Sequence, residues 1–227
     1  MPTYATTTRA TLRSRIQERL ISTFWTNTEI NAYINEALRV WNVCTGYNKN
    51  TYTNNFAANT FGYSISAAGT NAMFVLRVEN AAFRHLDPIT IKELGNLDPN
   101  WVSNTSTSPT NWMQVGVNSL FIYPTPSTLQ TGLTTYTIDT FQVPTQDSDF
   151  IQIGEEDLQY IVDYCVFIAR LKEGGKEAQE SVTLLQGFLL QAAKYNSKIL
   201  QTSLYKRVMG TFSTQTRNPK LEHQTVR

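Results

Sequence analysis

Histidine and cysteine are scarce in this chain, which holds two of each in 227 residues. His85 lies beside the end of a predicted strand and His223 lies near the C-terminus, and neither has a metal ligand or nucleophile at a recognisable spacing. Cys44 and Cys165 fall on apolar helical patterns, so we expect free buried thiols. No nucleophile elbow, phosphate-binding loop, dinucleotide fingerprint or zinc-protease motif occurs. These absences predict no catalytic residue, no metal and no cofactor.

Long apolar runs are also missing from the chain. No stretch approaches the ~20 residues of a membrane helix, so we expect no contact with a membrane. The N-terminal stretch MPTYATTTRATLRS has no apolar core of a signal peptide, which predicts synthesis and retention in a cytosol-like compartment. The formal net charge is only +1, which argues against a globally basic protein that binds nucleic acid.

Lysine and arginine are absent from residues 93–169, whereas acidic residues occur throughout that stretch. From residue 198 onward the balance is reversed, because this segment contains six basic residues and only one acidic residue, Glu222. The asymmetry fits either ordinary solvated surfaces or two surfaces that complement each other or a partner. Five carboxylates precede or begin a predicted helix: Asp147, Asp149, Glu155, Glu156 and Asp157. A polar loop before a helix dipole explains them better than a calcium site does, because the glycine and terminal glutamate of an EF-hand are missing.

The N-terminal region predicts two amphipathic helices. In the first, Leu12, Ile16 and Leu20 form an apolar stripe beside several arginines. The second begins at Thr26, which has capping-box spacing to Glu29. Its apolar stripe comprises Ile30, Ile34, Leu38 and Trp41, and Gly46 can end the helix in a left-handed conformation.

The middle of the chain predicts strands separated by turn residues. Candidate strands cover 73–78 and 133–143, and a hairpin is expected around Asn118-Ser119. Asp87-Pro88 has the residues of a helix N-cap and first position, which predicts a short helix that stops at Gly95.

Helical periodicity returns after Gly154, breaks at Gly174-Gly175 and continues to about residue 208. The last helix would be roughly 50 Å long if unbroken, which exceeds what a core of this size requires. The predicted fold class is therefore α+β. A helical bundle comes from the N- and C-terminal helix pairs (1–48 with 154–208), a β-rich insertion covers 49–153, and an extended C-terminal tail covers 209–227.

The order of these motifs resembles the head-to-tail adaptor, or connector, proteins of tailed bacteriophages. In that family an Arg-rich first helix precedes the pattern FWT–x–x–E–[LI]–x–x–[YL]–[IL]–N–E–A–[LI]–x–x–[WF], which here spans residues 24–41. Further similar motifs follow in the same order: DPNW at 98–101, SPTNW at 108–112, LFIYPTP at 120–126 and EEDLxxIVDY at 155–164.

The resemblance implies a virion structural protein that is assembled in the host cytoplasm. It would form a ring, usually of twelve copies, beneath the portal at the neck of the virion. The ring would extend the DNA channel and join the head to tail or nozzle proteins. Double-stranded DNA would pass through the lumen without sequence-specific binding.

Two sets of residues are candidate interaction sites under this hypothesis. The five carboxylates of residues 147–157 would line the ring lumen or the joint between subunits. The segment 206–227 would dock on the portal, because its basic and apolar residues can bind an acidic surface. The portal-docking residues are Lys206, Arg207, Phe212, Arg217, Lys220, Leu221 and Arg227.

Two other functions remain open from the sequence. One is a different phage neck component, such as a stopper or a tail-completion protein. The other is a small DNA-binding or nuclease accessory protein, which salt-dependent binding to bare duplex DNA would favour.

Overall fold

The structure is a computed structural model that describes residues 6–21, 24–69, 71–82 and 84–195. It contains two compact units, one within Met1–Thr45 and Val143–Arg227 and the other comprising Gly46–Gln142. The α+β class is confirmed. The bundle arrangement, the C-terminal tail and the three-part domain division stay predictions.

Five α-helices occur among the described residues. They are α1 (Arg9–Leu20), α2 (Asn27–Thr45), α3 (Ile91–Leu97), α4 (Glu155–Glu173) and α5 (Gly175–Tyr195). In the first unit, α4 packs against α1, α2 and α5. The apolar stripe predicted for α2 is fully buried. Trp41 of this stripe packs edge-on against Phe188 of α5, with ring centroids 5.3 Å apart, and stacks on Tyr160 of α4 at 6.5 Å, so this end of the stripe contacts both helices.

The predicted ends of α2 are also confirmed. The Thr26 hydroxyl accepts from the Glu29 amide at 3.3 Å, and the Glu29 carboxylate accepts from the Thr26 amide at 3.1 Å. At the other end, Gly46 has a φ of 61°. A Cβ at this position would lie 2.8 Å from the Ile138 side chain, so both the backbone and the packing favour glycine.

The second unit is built on a sheet. Its strands are β1 (Lys49–Phe56), β2 (Gly62–Ser64), β3 (Ala72–Glu79), β4 (His85–Pro88), β5 (Thr105–Ser106), β6 (Asn111–Val115), β7 (Ser119–Tyr123), β8 (Thr125–Pro126) and β9 (Gln130–Asp139). Seven of them form one sheet in the order β1-β9-β3-β4-β6-β7-β2, while β5 and β8 pair separately. Only β4 and β6 are parallel within the seven-stranded sheet. The predicted hairpin is confirmed as the antiparallel pair β6–β7.

The strand predicted at 133–143 is displaced toward the N-terminus, because β9 covers Gln130–Asp139. Its two neighbours explain where it ends. Lys49 of β1 pairs with Ile138, and Ala72 of β3 pairs with Asp139. Among the described residues, neither neighbouring strand extends beyond these pairs, and the backbone contact continues only at the Thr140 amide, which donates to the Asn71 carbonyl at 2.9 Å.

The helix predicted to begin at Asp87-Pro88 was wrong in both its start and its end. These two residues belong to β4, where they pair with Asn111 and Trp112. The helix α3 begins after Thr90 and continues through Gly95 to Leu97. Thr90 and Glu93 form a complete capping box, which satisfies two backbone N–H groups and fixes the start there. Pro88 can end β4 because a strand terminus needs no N–H donor.

Replacing Thr90 by alanine should lower the free energy of unfolding by about 1 kcal/mol, because it removes the cap of α3. Asp87→Ala is the matched control and should change it by less than about 0.5 kcal/mol, since Asp87 is an exposed strand residue. Urea unfolding followed by circular dichroism measures both values. Equal losses in the two variants would contradict this position of the helix start.

Candidate functional site

Arg9 and Arg13 of α1 share one carboxylate, that of Asp147. Arg13 binds it through both terminal nitrogens at 2.7 Å, and the Arg9 Nη2 atom is 2.9 Å from Oδ1. The two arginines are one helical turn apart, so their side chains lie on the same face of α1. Their side chains are only 11% and 13% exposed, against 52% for Asp147. The cluster is therefore a clamp in which two shielded cations hold a carboxylate at the surface.

The loop before α4 also caps the N-terminus of α1, because its backbone carbonyls accept hydrogen bonds from the first amides of the helix. The Arg9 amide donates to the Asp149 carbonyl at 2.9 Å, and the Ala10 amide donates to the Asp147 carbonyl at 3.1 Å. These amides belong to the first turn of α1, whose N–H groups have no partner within the helix. The Asp149 carboxylate in turn accepts from the amides of Thr145 and Gln146, which closes a turn in the loop.

The first turns of α4 supply further carboxylates to α1 and to the residues before it. Glu155 accepts from the hydroxyls of Thr6 and Thr7, and its carboxylate lies 3.7 Å from Arg15. Arg19, near the end of α1, pairs with Asp163. The arginines of α1 are therefore matched by carboxylates from the stretch that lacks basic residues.

These contacts change the acidity of the carboxyl groups. Hydrogen bonds from Arg13 and then Arg9 lower the pKa of Asp147 to about 2. The Thr6 and Thr7 hydroxyls hold the pKa of Glu155 below its ordinary value. Backbone amides, of Gln146 first, lower the pKa of Asp149. All three groups are thus anions at neutral pH, and none is suited to donate a proton in catalysis there.

The five predicted carboxylates do not form one cluster. Asp147, Asp149 and Glu155 bind α1, the residues before it or their own loop, as described above. Asp157 is buried, and its Oδ1 atom accepts from Gln191 of α5 at 3.3 Å. Glu156 is exposed. The predicted place of these residues at a ring lumen or subunit joint stays a prediction.

The turn between α1 and α2 contains Phe24, Trp25 and Thr26, which we call the FWT turn. Trp25 is 4% exposed, whereas Phe24 is 68% exposed and packs edge-on against Trp25 at 4.9 Å. The Trp25 Nε1 atom donates to Glu173 at 3.2 Å, and the Lys172 ammonium lies 5.1 Å from the Trp25 ring centroid. The turn is therefore fixed to the end of α4 and presents an aromatic ring to solvent.

Lys172 also connects this turn to the cap of α2. Its ammonium lies 2.6 Å from the Glu29 carboxylate, and this contact, followed by those with Thr26, lowers the pKa of Glu29 to about 2. Sequence reasoning missed Lys172 and Glu173 as partners of the motif. The two ends of the Trp25–Glu173 contact are 148 positions apart, and no local pattern signals such a pair.

A surface groove in the second unit was also missed. It has a volume of about 390 Å³ and lies between the segment that leads into α3 and strand β6. Its lining includes Ile89, Ile91, Lys92, Met113 and Val115. Beside it, Gln114 donates to the Met73 carbonyl and accepts from the Val75 amide, which links β6 to β3.

Within the described residues, no three His, Cys, Asp or Glu side chains are grouped so that they could hold a metal ion. A helix with the length and apolarity to cross a membrane is likewise missing from this part of the chain. Cys44 and Cys165 are free, as predicted, but only Cys165 is buried, whereas Cys44 is half-buried. Burial raises the pKa of both thiols, which keeps them protonated and unreactive at neutral pH.

The predicted portal-docking residues lie outside the described residues, and so does His223. Their role stays a prediction that rests on the sequence alone. The described residues nevertheless contrast with them in charge. Residues 1–195 contain 13 basic and 17 acidic residues, and residues 196–227 contain six basic residues and one acidic residue.

Comparison with protein families bears directly on these motifs. A family model described as "SU10 adaptor protein" matches residues 7–214. The match includes the arginines of α1, the FWT turn, and the loop and helix α4 that bind them. A search of curated proteins found no match. Because the family model covers most of its length, the chain belongs to the SU10 adaptor protein family of phage head-to-tail adaptors.

Proposed function

We propose that this chain is a structural protein that forms a ring beneath the phage portal, extends the DNA channel and joins the head to tail components. The family match over residues 7–214 is the observation that carries this proposal. It supports a virion component at the head–tail junction. The ring, its position and the twelve copies come from what the adaptor resemblance implies.

The same proposal includes the absence of catalysis. The carboxylates of the α1–α4 contact are occupied by arginines, hydroxyls and amides of the same chain. They serve to hold the helices together, and an adaptor needs no reaction. Stoichiometric zinc or calcium in the purified protein, measured by elemental analysis, would count against this part of the proposal.

We assign the portal as one partner and tail or nozzle proteins as the others, with residues 206–227 as the portal-docking segment. Double-stranded DNA passes through the lumen without sequence-specific contacts. Carboxylates on the inner wall would repel phosphates and keep the duplex mobile. Of the five candidates, Glu156 fits that role best, because it is exposed. Arginines of the same chain partly compensate the charge of Asp147.

The arrangement of α1 also argues against the alternative of a DNA-binding accessory protein. Arg9 and Arg13 are shielded and bind Asp147, and Arg19 binds Asp163. Contacts with DNA phosphates would require these arginines to leave carboxylates of their own chain. We therefore expect weak binding to bare duplex DNA.

Mass measurement tests the proposed ring. The purified chain should be a monomer or a weakly associated species, because its basic C-terminal segment acquires its contacts from a partner. Addition of purified portal should produce a complex with many copies of the chain per portal ring. Native mass spectrometry or light scattering of the chain, the portal and the mixture gives both values. A chain that stays monomeric with portal present would refute the ring.

A further inference from the structure

The groove of the second unit has the features of a binding surface for one apolar side chain. Its walls carry Ile89, Ile91, Met113 and Val115, and Ile91 is exposed. Binding sites are typically concave and lined mostly by apolar side chains, which is the composition of this groove. The volume of about 390 Å³ is near the lower end of small-molecule pockets, and it is more than sufficient to admit an aromatic ring.

The FWT turn presents such a ring in a fixed position. Phe24 is 68% exposed, but it packs on Trp25, which is itself held by Glu173 and Lys172. A rigid exposed aromatic side chain loses little conformational entropy on binding. Aromatic anchors that fill pockets commonly supply most of the binding energy of an interface.

We propose that Phe24 of one copy inserts into the groove of the next copy in the ring. The proposal rests on the proposed ring. A ring is built from heterologous contacts, so each subunit must carry two different patches that fit each other. The FWT turn and the groove are two such patches on one chain, one convex and one concave.

The charges around the two patches are complementary. Glu29 and Glu173 flank the turn together with Lys172, which leaves one negative charge in excess. The groove lining contains one charged side chain, the exposed Lys92. This pairing orients the insertion, and charged groups at the rim of an interface act mainly on association rate and specificity.

Phe24→Ser tests the contact in the full-length chain mixed with purified portal. Loss of an aromatic anchor should weaken ring assembly about 30-fold, as read from the chain concentration at half-maximal ring formation. Leu129→Ser is the matched control, because Leu129 is 58% exposed and lies outside the turn, the groove and the 147–157 segment. It should assemble as the wild type does. Both variants should keep the wild-type circular dichroism spectrum.

Thiol cross-linking supplies a second measurement that does not remove Phe24. A chain with Ile21→Cys and Val117→Cys places one thiol beside the turn and one beside the groove, at exposed positions. A short bismaleimide added to the assembled ring should give a ladder of covalent oligomers. Each single variant should stop at dimers or monomers. The wild type, treated in the same way, shows how much cross-linking comes from the native thiols of Cys44 and Cys165.

The outcomes separate this contact from the ring itself. If the wild type forms no ring with portal, both the proposed function and the contact are overturned. If the wild type forms a ring, the contact alone is overturned by normal assembly of Phe24→Ser, or by a double-cysteine chain that gives no ladder. Cross-links within a single chain would also overturn it, because the groove would then hold its own Phe24.

Discussion

Deletion of residues 211–227 is expected to abolish portal binding and to leave the thermal unfolding temperature nearly unchanged. Residues 206–227 have no apolar periodicity, so they cannot form a core of their own. They contain five basic residues and one acid, which suits an acidic partner surface. Calorimetry of the truncated chain and a binding assay with purified portal measure the two quantities.

A charge-reduced variant of the full-length chain complements this deletion. Replacement of Arg217, Lys220 and Arg227 by glutamine removes three of the five basic charges of residues 206–227 but keeps the apolar anchors Phe212 and Leu221. It should bind portal more weakly than the wild type. Wild-type binding should fall as salt is added, because salt screens exposed charges. Normal assembly of the truncated chain under the portal would show that another segment docks there.

Asp147→Lys should destabilise the chain strongly, whereas Glu156→Lys should leave it folded. The first change places a third cation against Arg9 and Arg13, which now share the Asp147 carboxylate. The second changes an exposed residue of the first turn of α4. Thermal unfolding of the two variants measures the difference. Equal unfolding temperatures would contradict the structural role of the clamp.

Asp147→Asn reveals the same role through pH. The pKa of Asp147 falls from an ordinary value of 3.8 to about 2 in the folded chain. A lowered pKa contributes stability that is complete above the ordinary value and is lost as the pH falls through the folded value. Between about pH 4 and pH 2, the wild type should therefore lose stability more steeply than Asp147→Asn. Parallel curves in acid unfolding would contradict the shift.

Glu156→Lys then tests the lumen hypothesis without the complication of unfolding. If Glu156 faces DNA or a subunit joint, phage that carry the variant should show impaired DNA passage or assembly. An unchanged titre with the variant incorporated would place Glu156 on an outer surface.

Local sequence patterns predicted the helices well because their signals are confined to a few neighbouring positions. The capping box of Thr26 and Glu29 and the apolar stripe of α2 were found where expected. The same reasoning failed at Asp87-Pro88, because a second capping box at Thr90 lies only three positions further on. A proline fits both the first turn of a helix and the end of a strand, so its presence could not decide between them.

The candidate sites were harder to predict because they depend on contacts between distant positions. Charge alone selected Asp147, Glu156 and Asp157 as equivalent carboxylates. The structure gives each a different environment: one is clamped by arginines, one is exposed and one is buried. Sequence reasoning matched the acidic stretch with the C-terminus or a partner. Its contacts with α1 went unrecognised, because no periodicity links residues more than 130 positions apart.

Strand β9 shows another limit of apolar patterns. Its buried side includes Thr135 and Thr137, which are fully buried although they are polar. The Thr135 hydroxyl donates to the Ala68 carbonyl, and the Thr137 hydroxyl donates to Asp139 at 2.6 Å. Buried hydroxyls are tolerated when they are hydrogen-bonded. Alternation places Thr135 and Thr137 on the same side of a strand, but it does not reveal that this side is internal.

The clamp between α1 and the loop before α4 has a consequence for the order in which the chain folds during synthesis. Arg13 and Asp147 are 134 positions apart, and every residue of the second unit is translated between them. At 5–20 residues per second, Asp147 is synthesised roughly 7 to 27 s after Arg13 of α1. Phe188, which packs against Trp41 of the apolar stripe of α2, is synthesised later still. The sheet unit can therefore complete its contacts on the ribosome while the first two helices still expose the surface that chaperones bind.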